Sequence, residues 1–425
     1  MFIRSARIRN VRSIKELDWS SPKGRRASWN VILGDNGAGK SSFLRALALC
    51  LVGPKEAAAA RQDWNAWLRS GSQQGRVIVQ LVRDAQYDHF SGKGNTGHRQ
   101  TVYAGVRLLR DKEGVQLEKL NLKPISAERH IWGTGDGWFS VAYGPFRRFT
   151  GGDKEADRMF LSSPRLGAHV SVFGENVALT ESLYWLRELN YKKLEKSSEG
   201  HVLNRLKQFV NQDNFLPHKI RLKQVSSRGV EFEDANGFSV AVEELSDGYR
   251  SILSMTFELI RQMLRVYSGD QVFDSKNESI VVPGIVMIDE IDAHLHPTWQ
   301  KKIGFWLTQH FPNIQFIVTT HSPLICQAAV NGSIFRLPTP GSDESGRMLE
   351  GTDRDRLLYG DILDAYSTEA FGTADTRSRE GNDMQEKLAA LNVKELAKGL
   401  SKEEREAQEK LRAAFPTSPH VTTNS

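Results

Sequence analysis

Eight consecutive residues, Gly34-Asp35-Asn36-Gly37-Ala38-Gly39-Lys40-Ser41, have the types and spacing needed to hold a chain of phosphates. Glycines let backbone N–H groups close on anionic oxygens, the lysine neutralises them, and the hydroxyl after it can ligate Mg²⁺. A helix starting at this point adds favourable partial charge. Asn36, Gly37, Ala38, Gly39, Lys40, Ser41 and Ser42 are the candidate binding residues. Further along, Gly284-Ile285-Val286-Met287-Ile288-Asp289-Glu290 is an apolar run ending in two acids. Asp289 could complete a Mg²⁺ shell with Ser41, and Glu290 could polarise a water toward the terminal phosphate. Phe316-Ile317-Val318-Thr319-Thr320-His321 delivers a histidine at a strand end, where parallel sheets collect ligands. His321 could bond that phosphate or the attacking water. Each piece has a plainer reading: a glycine-rich turn, a capping acid pair, a structural histidine.

These residues need particular elements to position them. Ser28–Leu33 reads as a buried strand, and 42–51 as a helix with Phe43, Leu44, Leu47, Ala48 and Leu51 on one face. Strand, loop and helix together are the context a phosphate loop requires. Further strands are expected within 2–18, at 77–82, 284–288, 314–318 and 333–337, and more strands and turns over 101–172. Residues 87–100 read as an exposed loop, 180–210 as helical, and Lys219–Val225 with Val230–Phe232 as a hairpin. Glu244-Leu245-Ser246-Asp247-Gly248 opens a helix reaching about Tyr267, with Ser246 as its N-cap. The pair His294 and His296 has metal-like spacing, but no third ligand is evident. A turn into a helix 297–311, with Pro297 near its first position, is the better reading. Met384–Phe415 carries the last helix signal, and 417–425 read as disordered.

Composition is that of an ordinary globular chain, 39% hydrophobic and 25% charged over 425 residues. Met1–Arg7 has no apolar core region behind it and so does not read as a signal peptide, and no uncharged apolar stretch is long enough to span a membrane. The two cysteines, Cys50 and Cys326, lie in apolar surroundings and read as buried thiols of a cytoplasmic protein. The net charge of +6 is uneven: 1–26 and 201–230 are strongly basic, while 341–425 hold seventeen acids against twelve bases. An anionic partner on one face and a solvated surface explain that pattern equally well.

The phosphate loop, Leu245-Ser246-x-Gly248, Asp289-Glu290, Asp292 and His321, in that order, resemble the ATP-binding-cassette class of ATPase. The resemblance covers residues 1–337. It implies an α/β fold: an ABC-ATPase head, that is, a P-loop NTPase sheet with a helical insertion, to which this chain adds a helical C-terminal tail. The expected organisation is an N-terminal lobe at 1–175, a helical, basic insertion at 176–240, a C-terminal lobe at 241–340 and an acidic helical region at 341–425. ATP and Mg²⁺ are the implied cofactors. A head-to-tail homodimer is implied, with Ser246 and Gly248 of one subunit on the ATP held by Lys40 and Ser41 of the other; assembly beyond the dimer is left open. Leu245-Ser246-Asp247-Gly248-Tyr249 and 205 residues between Lys40 and Ser246 are unlike a transporter subunit.

Ile8-Arg9-Asn10-Val11-Arg12-Ser13-Ile14 and Asp289–Pro297 are similar to the RecF-like and OLD-like AAA ATPases. The tail lacks the acid pattern of the nuclease domain that OLD proteins append. The chain most resembles the ATPase components of Septu-type and retron-associated antiphage defence systems, in which a separate HNH nuclease is the partner. The resemblance therefore implies a slow, regulatory ATPase that controls a nuclease. The alternative is a RecF-like DNA-maintenance ATPase binding duplex DNA through 201–230. Gln80 is a candidate for the glutamine that bridges Mg²⁺ to the second lobe, with a strand glutamine facing solvent as an equal reading. Arg12, Arg147 and Arg148 could contact phosphate or nucleic acid, although surface or core-bridging arginines are the plainer reading of each.

Overall fold

Six buried residues in succession give β3 (Ser28–Leu33) two covered faces, as a central parallel strand requires. The computed structural model describes residues 1–425 apart from 23, 25, 61, 91–99, 124, 126, 135, 146–162, 175–180, 214, 343, 372–377 and 416–425. Arg147, Arg148, the expected disordered end and most of the expected loop 87–100 lie outside the described residues.

Among the described residues, three sheets occur in the first of two compact units, Met1–Ala365. In the largest, β3 pairs in parallel with β12 (Ile314–Thr319) and with β13 (Ser333–Arg336). Beyond β12 come β11 (Gly284–Ile288) and β7 (Ser140–Tyr143), also parallel, while β14 (Arg347–Met348) adds an antiparallel edge to β13. The second sheet is antiparallel, in the order β2 (Ile14–Ser20), β1 (Phe2–Val11), β4 (Gln74–Val82), β5 (Thr101–Arg110), β6 (Val115–Lys119). The helix Lys40–Val52 is buried almost all round, from Phe43 to Val52 with the single relief of Arg45. A helix apolar on every side must lie between layers. Its side chains join one core with Ile3, Ile8, Val77, Val79, Val102 and Val106 of the antiparallel sheet, and with Ile32, Met287 and Ile317 of the parallel one. Cys50 sits inside this core with its thiol on the Val77 carbonyl, 3.3 Å away, and Cys326 is equally buried. Burial pushes both thiols up.

The region 101–172 is not all strands and turns: Pro164–Phe173 is a helix packed on Lys40–Val52. Its His169 is buried, and the ring Nδ1 lies 2.7 Å from the Arg165 carbonyl. Burial lowers its pKa from 6.5 to about 4. The imidazole is neutral in the fold and takes up a proton more readily in the unfolded chain. Its contribution to stability is therefore complete above pH 6.5 and lost as pH falls toward 4, amounting to about 3 kcal/mol. Thermal melts at pH 7 and about pH 4.5 should show a drop that a His169→Leu chain shows less steeply.

The helical region after residue 180 is two helices, Glu181–Leu194 and His201–Val210. Lys196 in the left-handed region (φ 58°) breaks them apart. The hairpin is observed as β8 (Arg221–Ser226) and β9 (Gly229–Glu233), extended by β10 (Ser239–Ala241). The helix Asp247–Val266 carries a buried carboxylate, Glu258, held by Arg261 through bonds of 2.7 and 2.8 Å. Glu258→Ala would leave the guanidinium buried without this partner. The expected loss is about 3–5 kcal/mol in a denaturant titration.

The second unit, Tyr366–Ser425, contains an antiparallel helical hairpin, Arg379–Lys398 and Lys402–Ala414. The single helix expected over Met384–Phe415 is interrupted because Gly399 takes a left-handed φ of 74° and Ser401 starts a new helix through a capping box with Glu404. Gln408 crosses between the helices to Asn392 and Glu395, at 2.9 and 2.8 Å. The expected region 341–425 is thus divided, since β14 and the helix Gly351–Tyr359 belong to the first unit. Among the described residues no helix is long and apolar enough to cross a membrane.

Candidate active site

The loop after β3 turns into its helix through two left-handed glycines, Gly37 (φ 82°) and Gly39 (φ 100°). At Gly39 a Cβ would come within 2.7 Å of the Ser13 hydroxyl, so the turn between β1 and β2 leaves no room for a side chain. Lys40 is 7% exposed, and its ammonium donates to the Gly34 and Asp35 carbonyls at 2.8 and 3.0 Å. Burial lowers its pKa; the fields of Asp289, Glu290, Asp35 and Asp292 oppose that shift. The lysine is thus held over the loop by groups that phosphate oxygens could replace.

Two parallel strands bring the acids and the histidine to the same edge. Asp289 is 1% exposed and accepts from the Thr319 hydroxyl at 2.6 Å. The same hydroxyl accepts from the Glu290 backbone N–H at 2.8 Å. One threonine at the end of β12 therefore ties down both residues following β11. Glu290 has φ 46°, a left-handed geometry uncommon for a non-glycine residue. Asp292 accepts from Thr320 at 2.6 Å, which fixes the next turn to the strand that carries His321.

A cleft of about 690 Å³ gathers Asn36, Gly37, Gly39, Lys40, Ser41 and Ser42 with Glu290 and His321. Ala38 is buried, and Asp289 does not line the cleft. Volume, loop and lysine suit a nucleoside triphosphate, and Ser41 with Asp289 are the protein groups available to a Mg²⁺ ion. Among the described residues there is no cluster of three or more His, Cys, Asp or Glu side chains able to hold a metal by themselves. Mg²⁺ bound with a nucleotide needs none, since phosphates and waters supply the other oxygens.

Sequence reasoning missed part of this cleft. Asn65, Arg69 and Arg110 line it, together with Ser13 and the expected Arg12. Arg12 sits in a left-handed turn (φ 51°), its guanidinium 5.6 Å from the Trp67 ring centre, and burial beside Arg45 lowers its pKa. These groups come from the antiparallel sheet and its connections, and of them only Arg12 was signalled in the sequence.

Other expectations are corrected. Gln80 accepts from Ser5 at 3.1 Å and lines a different cavity beside Arg4 and Thr101, so it does not reach the Lys40 cleft. Ser246 occupies the N-cap position but its side chain makes no capping bond. The first turn is stabilised instead by Asp247, which pairs with Arg250 and suits the helix N-terminus. The turn into the helix Pro297–His310 is as expected, with Pro297 in its first turn and His296 as its cap, the ring accepting from the Thr298 N–H. In the basic stretch, Arg205, Arg221 and Lys223 pair with Asp270, Asp213 and Glu233, and Lys207 bonds the Lys223 carbonyl. That self-neutralisation weakens the case for a duplex-binding surface there. Ser246 and Gly248 lie away from the Lys40 cleft and line another cavity.

A phosphate loop, strand-end acids and a strand-end histidine on this sheet, with a separate Leu-Ser-x-Gly helix, define an ATPase head of the ABC type. In sequence the chain is similar to PtuA-like AAA/ABC ATPases. It is 26% identical over 347 residues to the Septu protein PtuA of Bacillus mycoides (strain KBAB4), covering 78% of this chain and 40% of that protein. It is 38% identical over 128 residues to the Retron Ec83 probable ATPase of Escherichia coli, covering 29% and 22%. With the PtuA of Bacillus thuringiensis it shares 32% over 156 residues, covering 34% and 37%. The chain therefore spans less than half the length of these relatives. Residues 165–327 match the family described as "AAA domain, putative AbiEii toxin, Type IV TA system". Among solved structures, an SmcHead bound to the C-winged helix domain of ScpA superposes with a TM-score of 0.51 at 16% identity, covering 82% of this chain and 98% of that one, which establishes the fold.

Proposed function

We propose that this chain is the ATP-hydrolysing subunit of an antiphage defence complex, working in the cytoplasm as an ATP-dependent head-to-tail dimer that controls a separate HNH-type nuclease. One observation carries the dimer. Lys40, Ser41, Glu290 and His321 share a cleft, whereas Ser246 and Gly248 do not line it, which favours their meeting the nucleotide of a second subunit. The exposed Ser246 hydroxyl, spared from capping, suits that role. Within the cleft Lys40 and the loop N–H groups would bind the phosphates. Ser41 and Asp289 would hold Mg²⁺, which when bound shields the phosphate charge. Glu290 would take a proton from the attacking water, and His321 would orient that water or the terminal phosphate. The names of the curated relatives support the defence setting.

Mixing experiments test the dimer. Lys40→Ala and Ser246→Arg chains should each be inactive alone, and mixing them should restore part of the ATPase activity, because a mixed dimer retains one intact composite site. No recovery on mixing would sink the head-to-tail reading. Purification of tagged Glu290→Gln chain from its host tests the partner: a stoichiometric nuclease is expected, and co-purifying DNA without one would turn the assignment toward DNA maintenance.

A further inference from the structure

A second cavity, of about 1280 Å³, opens where the start of the helix Asp247–Val266 meets the turn after β11 and the helix Pro297–His310. It shares no lining residue with the cleft around Lys40. The helix Pro297–His310 presents Trp299, Lys302, Phe305 and Trp306 to it, three to four residues apart and so on neighbouring positions of one face. Trp306 is buried, anchored by its indole N–H on the Phe215 carbonyl at 2.9 Å, and meets Trp299 edge to face with ring centres 6.4 Å apart. Phe305 is 47% exposed, so its ring is open to a ligand in the cavity.

The lining also takes in His218 and Lys219, two consecutive residues in the left-handed region (φ 53° and 57°). Strain of this kind in non-glycine residues gathers at functional surfaces. Neither Lys219 nor Lys302 has a carboxylate partner among the described residues. The acids of the cavity, Asp213 and Asp247, are each engaged by an arginine, Arg221 and Arg250. What remains is a set of aromatic faces beside two uncommitted ammonium groups.

That combination is the complement of a planar base carrying an anionic phosphate. We propose that this cavity binds a nucleotide unit, its base against Trp299 and Phe305 and its phosphate on Lys219 and Lys302, as a site distinct from the ATP cleft. The unit can come from a free mononucleotide or from a single-stranded nucleic acid, whose bases are accessible as those of a duplex are not. Ser246 and Gly248 line the same cavity, so an occupant lies against the residues assigned to a neighbouring subunit's ATP.

The test uses the full chain carrying Lys40→Ala, which silences the phosphate loop, and follows the fluorescence anisotropy of a labelled short oligothymidylate. Saturable binding is expected, weakened roughly tenfold by Trp299→Ala and likewise by Lys302→Glu. Lys302 is exposed, so its variant should keep the fold even where Trp299→Ala does not. Displacement of the probe by AMP would assign the site to free nucleotides, and retention of the probe would assign it to single strands. Absence of binding, undiminished binding by both variants, or preference for a duplex would overturn the proposal.

Discussion

Glu290→Gln chain is expected to hydrolyse ATP roughly 10²- to 10⁴-fold more slowly than the unaltered chain, the usual contribution of a positioned general base. ATP affinity should change little, because Glu290 lies at the edge of the cleft while phosphate binding falls to the loop and Lys40. The amide keeps the shape of the side chain, and the backbone N–H of residue 290 keeps its bond to Thr319. The local fold is thus preserved and only proton acceptance is lost. ATP-loaded chain should accumulate, and light scattering after size-exclusion chromatography should show it as a dimer whenever ATP and Mg²⁺ are present. Near-normal hydrolysis by this variant would show that the base lies elsewhere and would return Glu290 to a capping role.

Lys40→Ala should act at an earlier stage. Removing a charge-assisted contact to phosphate is expected to weaken ATP binding by about 10- to 100-fold in a calorimetric titration. The apo chain should melt no lower than the unaltered one, since the lysine is nearly buried and has only loop carbonyls as hydrogen-bond partners. Added ATP should raise the melting temperature of the unaltered chain and leave that of the variant almost unmoved, because stabilisation follows ligand occupancy. A variant that melts lower without ATP would make Lys40 a structural strut of the loop. The two substitutions separate binding from chemistry.

The parallel sheet was legible because each of its main strands is a short apolar run that ends in a residue able to do chemistry. β3 runs into the glycine loop, β11 into Asp289 and β12 toward His321. Such runs have no polar face whose placement depends on distant partners, and local pattern suffices. Helix interruptions were not legible on the same terms. The leucines from 388 to 411 keep helical spacing across Gly399, and only the left-handed turn with the Ser401 cap divides them. Pro164–Phe173 was hidden in a region of strands, although Pro164 occupies the first position of a helix that packs onto Lys40–Val52. In the cleft, the groups contributed by contiguous motifs were found and those brought in by folding were not. Arg69 and Arg110 reach it only through the pairing of β4 with β5 and the connection before β4. Gln80 stayed an open candidate for the same reason: strand membership said nothing about which cavity its side chain would meet.

The two deeply buried cysteines have a practical corollary. With Cys50 and Cys326 the only thiols in the sequence, both enclosed and held protonated by burial, maleimide reagents should leave the native chain unmodified. A single cysteine introduced on the surface would then be the sole point of attachment for a dye or spin label. Paired labels on two such chains would test the proposed dimer, since ATP-driven approach of the subunits would register as a change in distance.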